Sequence, residues 1–87
     1  MKKIGEVKNY LSDIGVAIVE LTGTLKEDDK VHFKSSKEAE KPIKPFNQEP
    51  PLSMQINKDK ITKAGPGKVI GLKVSKPVKN NCSVYKV

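Results

Sequence analysis

The chain has 87 residues with one cysteine, one histidine and no tryptophan, which excludes an internal disulfide framework and a zinc site with four N/S ligands. Its formal charge is +7, and the excess is confined to the later part: residues 1–52 hold nine lysines against nine carboxylates, whereas residues 53–87 hold eight lysines against Asp59 alone. One small core is all that this length allows. With Tyr10, Phe33, Phe46 and Tyr85 the only aromatics, that core must draw on Val, Ile and Leu, residues suited to pleated surfaces. No run approaches the roughly 18 apolar residues of a membrane span. The opening Met-Lys-Lys-Ile-Gly lacks the apolar centre of a secretory signal, so the expectation is a cytoplasmic protein.

In chain order, Ile4-Gly5-Glu6-Val7 reads as a first short strand, followed by a polar connection over 10–13. Residues 15–21 give the strongest strand signal, apolar on both alternating faces except at Glu20, as expected of a strand buried twice or facing a partner. Thr22-Gly23-Thr24 ends it, Leu25 anchors the next loop, and Glu27-Asp28-Asp29 forms a tight turn. Alternation over 30–34 places Val31 and Phe33 inward and His32 outward.

Residues 35–52 carry prolines at 42, 45, 50 and 51 and read as a flexible proline-rich insertion loop, with Ile43 and Phe46 able to fold back on the domain. A helical turn over 36–41 would be stopped by Pro42. Order resumes with Leu52, Met54 and Ile56 on one face, and Ile61 and Ala64 cover an end of the core. Gly65-Pro66-Gly67 reverses the chain into a strand over 69–74, with Ile70, Leu72 and Val74 inward. Gly71 inside that strand marks a bulge, a barrel corner or the close approach of another backbone. A turn at Asn80-Asn81 and a strand over 83–87 complete the pattern. The expected fold is all-β: 1–87 as a single small six- or seven-stranded, closed or nearly closed β-barrel domain, interrupted by the 35–52 loop.

Ile-Gly-x-Val at 4–7, Gly-Val-Ala-Ile-Val-Glu-Leu at 15–21, Leu25-Lys26 before the acidic turn, Ser-Met-Gln-Ile at 53–56, Ala-Gly-Pro-Gly-Lys-Val-Ile-Gly-Leu at 64–72 and Val-Tyr-Lys-Val at 84–87 follow one another in an order that resembles the β-barrel second domain of translation GTPases, the elongation factor Tu type. The chain departs from that family at Glu27-Asp28-Asp29, where Gly-Asp or Gly-Glu is usual, and at Asn80-Asn81-Cys82-Ser83, where a glycine is frequent. The resemblance implies a β-barrel of the translation-protein type, here standing alone, that associates with RNA or the ribosome. No polar contact residue of the family matches, so none is carried over.

Catalytic chemistry finds little support. A phosphate loop ending at Gly67-Lys68 would need glycine at 62 and a hydroxyl at 69, and the chain has Thr62 and Val69. Asn57-Lys58-Asp59-Lys60 places its aspartate one residue too early for guanine recognition, so no GTP is expected. Cys82 and His32 have no third member to orient them as nucleophile and base, and Glu27-Asp28-Asp29 supplies too few oxygens for calcium. The expectation is a non-enzyme without metal or cofactor.

Two functional readings remain. In the first, a non-catalytic module binds structured RNA or the ribosome through Lys58, Lys60, Lys63, Lys68, Lys73, Lys76 and Lys79, contacting phosphates with little base readout, because every basic residue is lysine. In the second, the chain is an accessory protein–protein interaction domain that offers one apolar face of Val16-Ala17-Ile18-Val19 to a partner. Against both stands the plain reading of the lysines as a solubilising surface.

Overall fold

The computed structural model describes residues 2–36 and 41–87. Ten strands follow in chain order: β1 (Lys2–Leu11), β2 (Val16–Leu21), β3 (Leu25–Lys26), β4 (Val31–Lys34), β5 (Phe46–Gln48), β6 (Met54–Ile56), β7 (Asp59–Ile61), β8 (Lys63–Ala64), β9 (Val69–Lys73) and β10 (Ser83–Lys86). Eight form one curled antiparallel sheet in the order β5-β4-β10-β1-β2-β9-β6-β7, and β3 and β8 form a separate ribbon. No helix occurs among the described residues. The fold is thus all-β, but the expected closed barrel of six or seven strands is corrected to a half-barrel whose end strands, β5 and β7, do not pair with each other.

The inner faces account for the core. Ala17, Val19 and Leu21 of β2, Ile70 and Leu72 of β9, Val31 and Phe33 of β4 and Val84 of β10 are all buried in one cluster. Leu25 and Ala64, opposite one another in the β3–β8 ribbon, cover one end of it.

β1 is longer than its alternation suggests, and Tyr10 and Leu11 extend it rather than form a connection. Ile4 and Val7 are both buried although they stand three residues apart, a spacing that regular pleating cannot give. The first of two bulges in β1 reconciles them. Ile4 is the extra residue against β10 and Lys8 the extra residue against β2. The second bulge ejects Lys8 over the facing carboxylates Glu6 and Glu20, with Nζ 3.4 Å and 3.7 Å from them. Exposed pairs of this kind contribute less than about 1 kcal/mol, so their role is to relieve a like-charge pairing.

Turn chemistry fixes the hairpins. Pro66 and Gly67 form the centre of a type II turn, for which the φ of +84° at Gly67 is required. Gly67 N–H donates to the Leu21 carbonyl and Leu21 N–H to the Lys68 carbonyl, each at 2.8 Å, so the turn continues the β2–β9 ladder. Asn57 and Lys58, with φ of +51° and +69°, make the two-residue turn between β6 and β7.

The 35–52 segment contributes to the sheet as well as to the loop. Residues 37–40, and with them most of the helical turn considered over 36–41, lie outside the described residues. Further on, β5 pairs with β4, and the Phe46 ring stacks on Phe33 at 5.0 Å with 22° between planes. Leu52 is buried, and its N–H donates to the Glu27 carbonyl at 2.7 Å. A strand of three residues flanked by prolines is too short to show a period, which is why it is hidden in the sequence.

Two substitutions test the backbone constraints. A Cβ on Gly5 would sit 2.9 Å from Val19 Cγ1 and 3.0 Å from the Glu20 carbonyl oxygen, so Gly5→Ala is expected to destabilise by about 1–3 kcal/mol, seen as a lower urea midpoint at unchanged slope. Lys58→Gly removes a left-handed residue that costs about 1–2 kcal/mol and loses part of this to unfolded-state entropy. A midpoint raised by the equivalent of about 0.5–1 kcal/mol is expected, and a lowered one would show that the Lys58 side chain matters more than its φ.

Candidate functional site

The core uses one face of β2 and β9, and the other face is also apolar. Val16 and Ile18 project from the outer side of β2, with Val69, Gly71 and Lys73 beside them on β9 in the register Val16↔Lys73, Ile18↔Gly71 and Glu20↔Val69. Ile14, in the loop between β1 and β2, is 55% exposed and Val69 is 50% exposed. This is the second apolar face that the sequence of β2 announces.

Gly71 lies at the centre of this face. A Cβ there would meet Gln55 Cγ and Val16 Cγ1 at 3.2 Å, so side chains close over the glycine where a neighbouring backbone was one of the expectations. Around it lies a depression of about 230 Å³ walled by Ile14, Val16, Gln55 and Lys73. A cleft of about 470 Å³ adjoins it, sharing Ser53 and Lys73 and reaching Asn47, Glu49 and Pro51.

The cleft lies between the end of β5 and the chain leaving β9. There the Gln48 carboxamide bridges β5 to the chain leaving β9: its Nε2 donates to the Lys73 carbonyl at 2.6 Å, and its Oε1 accepts from Ser75 N–H at 2.9 Å. On the other side of the same segment, Val74 N–H donates to the Gly15 carbonyl at 3.0 Å. Glu49, in the cleft wall, is held by Lys30 at 3.1 Å, whereas no carboxylate lies within 4.0 Å of Lys73 Nζ among the described residues.

The seven lysines proposed from sequence are all exposed, and the structure sets them on different segments. Lys58 and Lys60 belong to the β6–β7 hairpin, Lys63 to β8 opposite Lys26, and Lys68 to the turn before β9. Lys73 alone lines the cleft and the depression. Lys76 Nζ stands 5.8 Å from the Phe46 ring centroid, and Lys79 Nζ donates to the Lys41 carbonyl at 3.0 Å.

The residues weighed for catalysis face separate partners. His32 points outward, its Nδ1–H donating to Asn47 Oδ1 at 2.6 Å with the Tyr85 ring 6.2 Å away. Cys82 is buried, with Sγ 3.9 Å from Ser35 Oγ. In the acidic turn, Asp29 Oδ2 accepts from Lys26 N–H at 2.9 Å and lies 3.3 Å from Lys86 Nζ, which ties it to the fold. Among the described residues no group of three or more His, Cys, Asp or Glu is arranged to hold a metal ion, and no helix is long and apolar enough to cross a membrane. Sequence reasoning missed Gln48, Ser53 and Gln55, because isolated amides and hydroxyls carry no period.

No protein-family model and no curated protein matches the chain. Two crystal structures do, both of the C-terminal domain of a Geobacillus thermoleovorans protein assigned as a U32 peptidase. The selenomethionine variant is 20% identical with a TM-score of 0.84, covering 99% of this chain and 100% of its own. The second is 22% identical with a TM-score of 0.82, covering 99% and 92%. The chain shares the fold of that domain. This overturns the resemblance to the second domain of translation GTPases, and the RNA-binding and ribosomal roles that the resemblance implied are left without support. The motifs behind it are glycines at turns and close approaches and aliphatics on inner faces, which meet the needs of a curled sheet and specify no partner.

Gln48→Ala leaves the Lys73 carbonyl and Ser75 N–H without their side-chain partner. The expected loss is about 1–2 kcal/mol, measured by urea unfolding, with faster amide hydrogen exchange at Ser75 and an unchanged rate at Val74. Equal acceleration at both amides would show that the bridge acts on the whole segment.

Proposed function

We propose that the protein is a non-catalytic binding module that docks on a partner protein through the outer face of β2 and β9. The observation that carries this reading is the exposure of Ile14 and Val69 beside half-buried Ile18 on the outer side of β2 and β9, with Val16 buried between them and the sheet's edge cleft. Apolar area left in water forgoes about 25 cal/mol per Å² on burial, and contiguous surfaces of this kind on small proteins serve association. The charge surplus in residues 53–87 favours a partner with an acidic surface and speeds encounter with it. In the Geobacillus protein the corresponding fold is a C-terminal domain of a longer chain, which accords with an accessory role here. The reading takes 1–87 as one β domain and places it in the cytoplasm, where a free Cys82 suits a reducing environment.

A photo-crosslinking residue at Val69, compared with one at Lys34 on the outer side of β4, tests the docking face in cells. The expected result is a protein adduct from position 69 that survives nuclease, is absent from position 34, and is lost when Ile14→Asp is added. Equal adducts from both positions, or adducts removed by nuclease, would overturn the reading. The purified protein is expected to leave peptide substrates uncleaved.

A further inference from the structure

A seam runs between β5 and the chain leaving β9, bridged by the Gln48 side chain, and the cleft of about 470 Å³ follows it. We infer that this seam, continued into the depression over Gly71, binds an extended peptide segment of a partner protein bearing a carboxylate side chain near an aliphatic one. The inference rests on the protein-docking reading above and names the chemistry of the partner.

Three observations converge on that occupant. The first concerns the backbone at the seam. The Lys73 carbonyl and Ser75 N–H face the same side, and the Gln48 carboxamide gives the first a donor and the second an acceptor. One residue of a parallel strand offers this same pair of bonds to positions two apart. Gln48 therefore stands where one residue of an added strand would present its N–H and C=O. Strand addition exchanges its two bonds for two equivalent ones and releases the Gln48 side chain.

The second observation is electrostatic. Lys73 has no carboxylate within 4.0 Å among the described residues, and the one acid in the cleft wall, Glu49, is engaged by Lys30 at 3.1 Å. An incoming carboxylate therefore meets an unpaired cation. The third is shape: beside Lys73 the depression of about 230 Å³ opens along Ile14 and Val16. An aliphatic side chain next to the carboxylate enters there.

Selection of displayed random peptides of about ten residues, long enough to span the seam at about 3.3 Å per residue, supplies the probe. The strongest binder is then labelled and titrated by fluorescence anisotropy. Enriched sequences are expected to pair Asp or Glu with a nearby aliphatic residue. Lys73→Glu should weaken the peptide about tenfold, and a peptide with its acid changed to lysine should recover binding to that variant. Gln48→Ala, below its unfolding midpoint, should strengthen binding several-fold, because the competing amide is gone. Affinities unchanged by Lys73→Glu, weakened by Gln48→Ala, or a selection without enrichment would each overturn the inference. Peptides released only by Val69→Asp would overturn the seam while leaving docking on the outer face intact, and the crosslinking experiment judges that face independently.

Discussion

The close approach of β2 to β1 at Gly5 is the constraint on which the sheet depends. With no side chain at that position, Val19 Cγ1 and the Glu20 carbonyl come within about 3 Å of where a Cβ would stand. The bulge at Ile4 sits immediately before this contact, and the bulge at Lys8 follows it. Together they bend and twist β1, because an extra residue on one strand increases the local right-handed coil. The sheet curls around a core that has few aromatic rings to fill space, and the Phe33–Phe46 stack supplies bulk on the side where β5 ends.

Curling without closing leaves a polar edge that must be satisfied. The Gln48 carboxamide meets this need at the chain leaving β9, at the place where the apolar outer face of β2 and β9 runs into the cleft. Docking face and seam are thus neighbours around the end of β9. Lys73 marks their junction, since it lines both the cleft and the depression over Gly71.

Much of this was legible in the sequence where strands are long enough to alternate. The inward positions of Val31, Phe33, Ile70, Leu72 and Val74, the double-sided character of β2, the Gly65-Pro66-Gly67 reversal and the turn at Asn80-Asn81 could all be read from residue type and spacing. Asn81 takes a φ of +70°, as asparagine in a turn allows. The strands β3, β5, β7 and β8 have two or three residues each, and no period exists over such lengths. The bulge at Ile4 left a trace in the spacing of Ile4 and Val7, but alternation read alone ends the strand too soon. The seam was not legible at all, because it depends on Gln48 meeting residues 25 and 27 positions away. Lysine density revealed a charge surplus and nothing of its arrangement. The translation-GTPase resemblance rested on the glycines and aliphatics that are least able to distinguish a partner.

The pairing of β1 with β10 carries a consequence for how the molecule is made. In the sheet order β5-β4-β10-β1-β2-β9-β6-β7, the last strand lies between the first strand and β4 and joins two parts of the sheet. Lys2 faces Lys86 and Glu6 faces Ser83, so almost the full length of the chain separates residues that become neighbours. Until β10 arrives, β5 and β4 have no ladder to the remaining strands, and the edges of β1 and β4 that it covers stay open. A topology so dominated by distant contacts folds slowly for its size. Nascent chains emerging at about 5–20 residues per second therefore hold these edges unpaired until β10 has emerged, and the sheet then assembles from both sides of that strand.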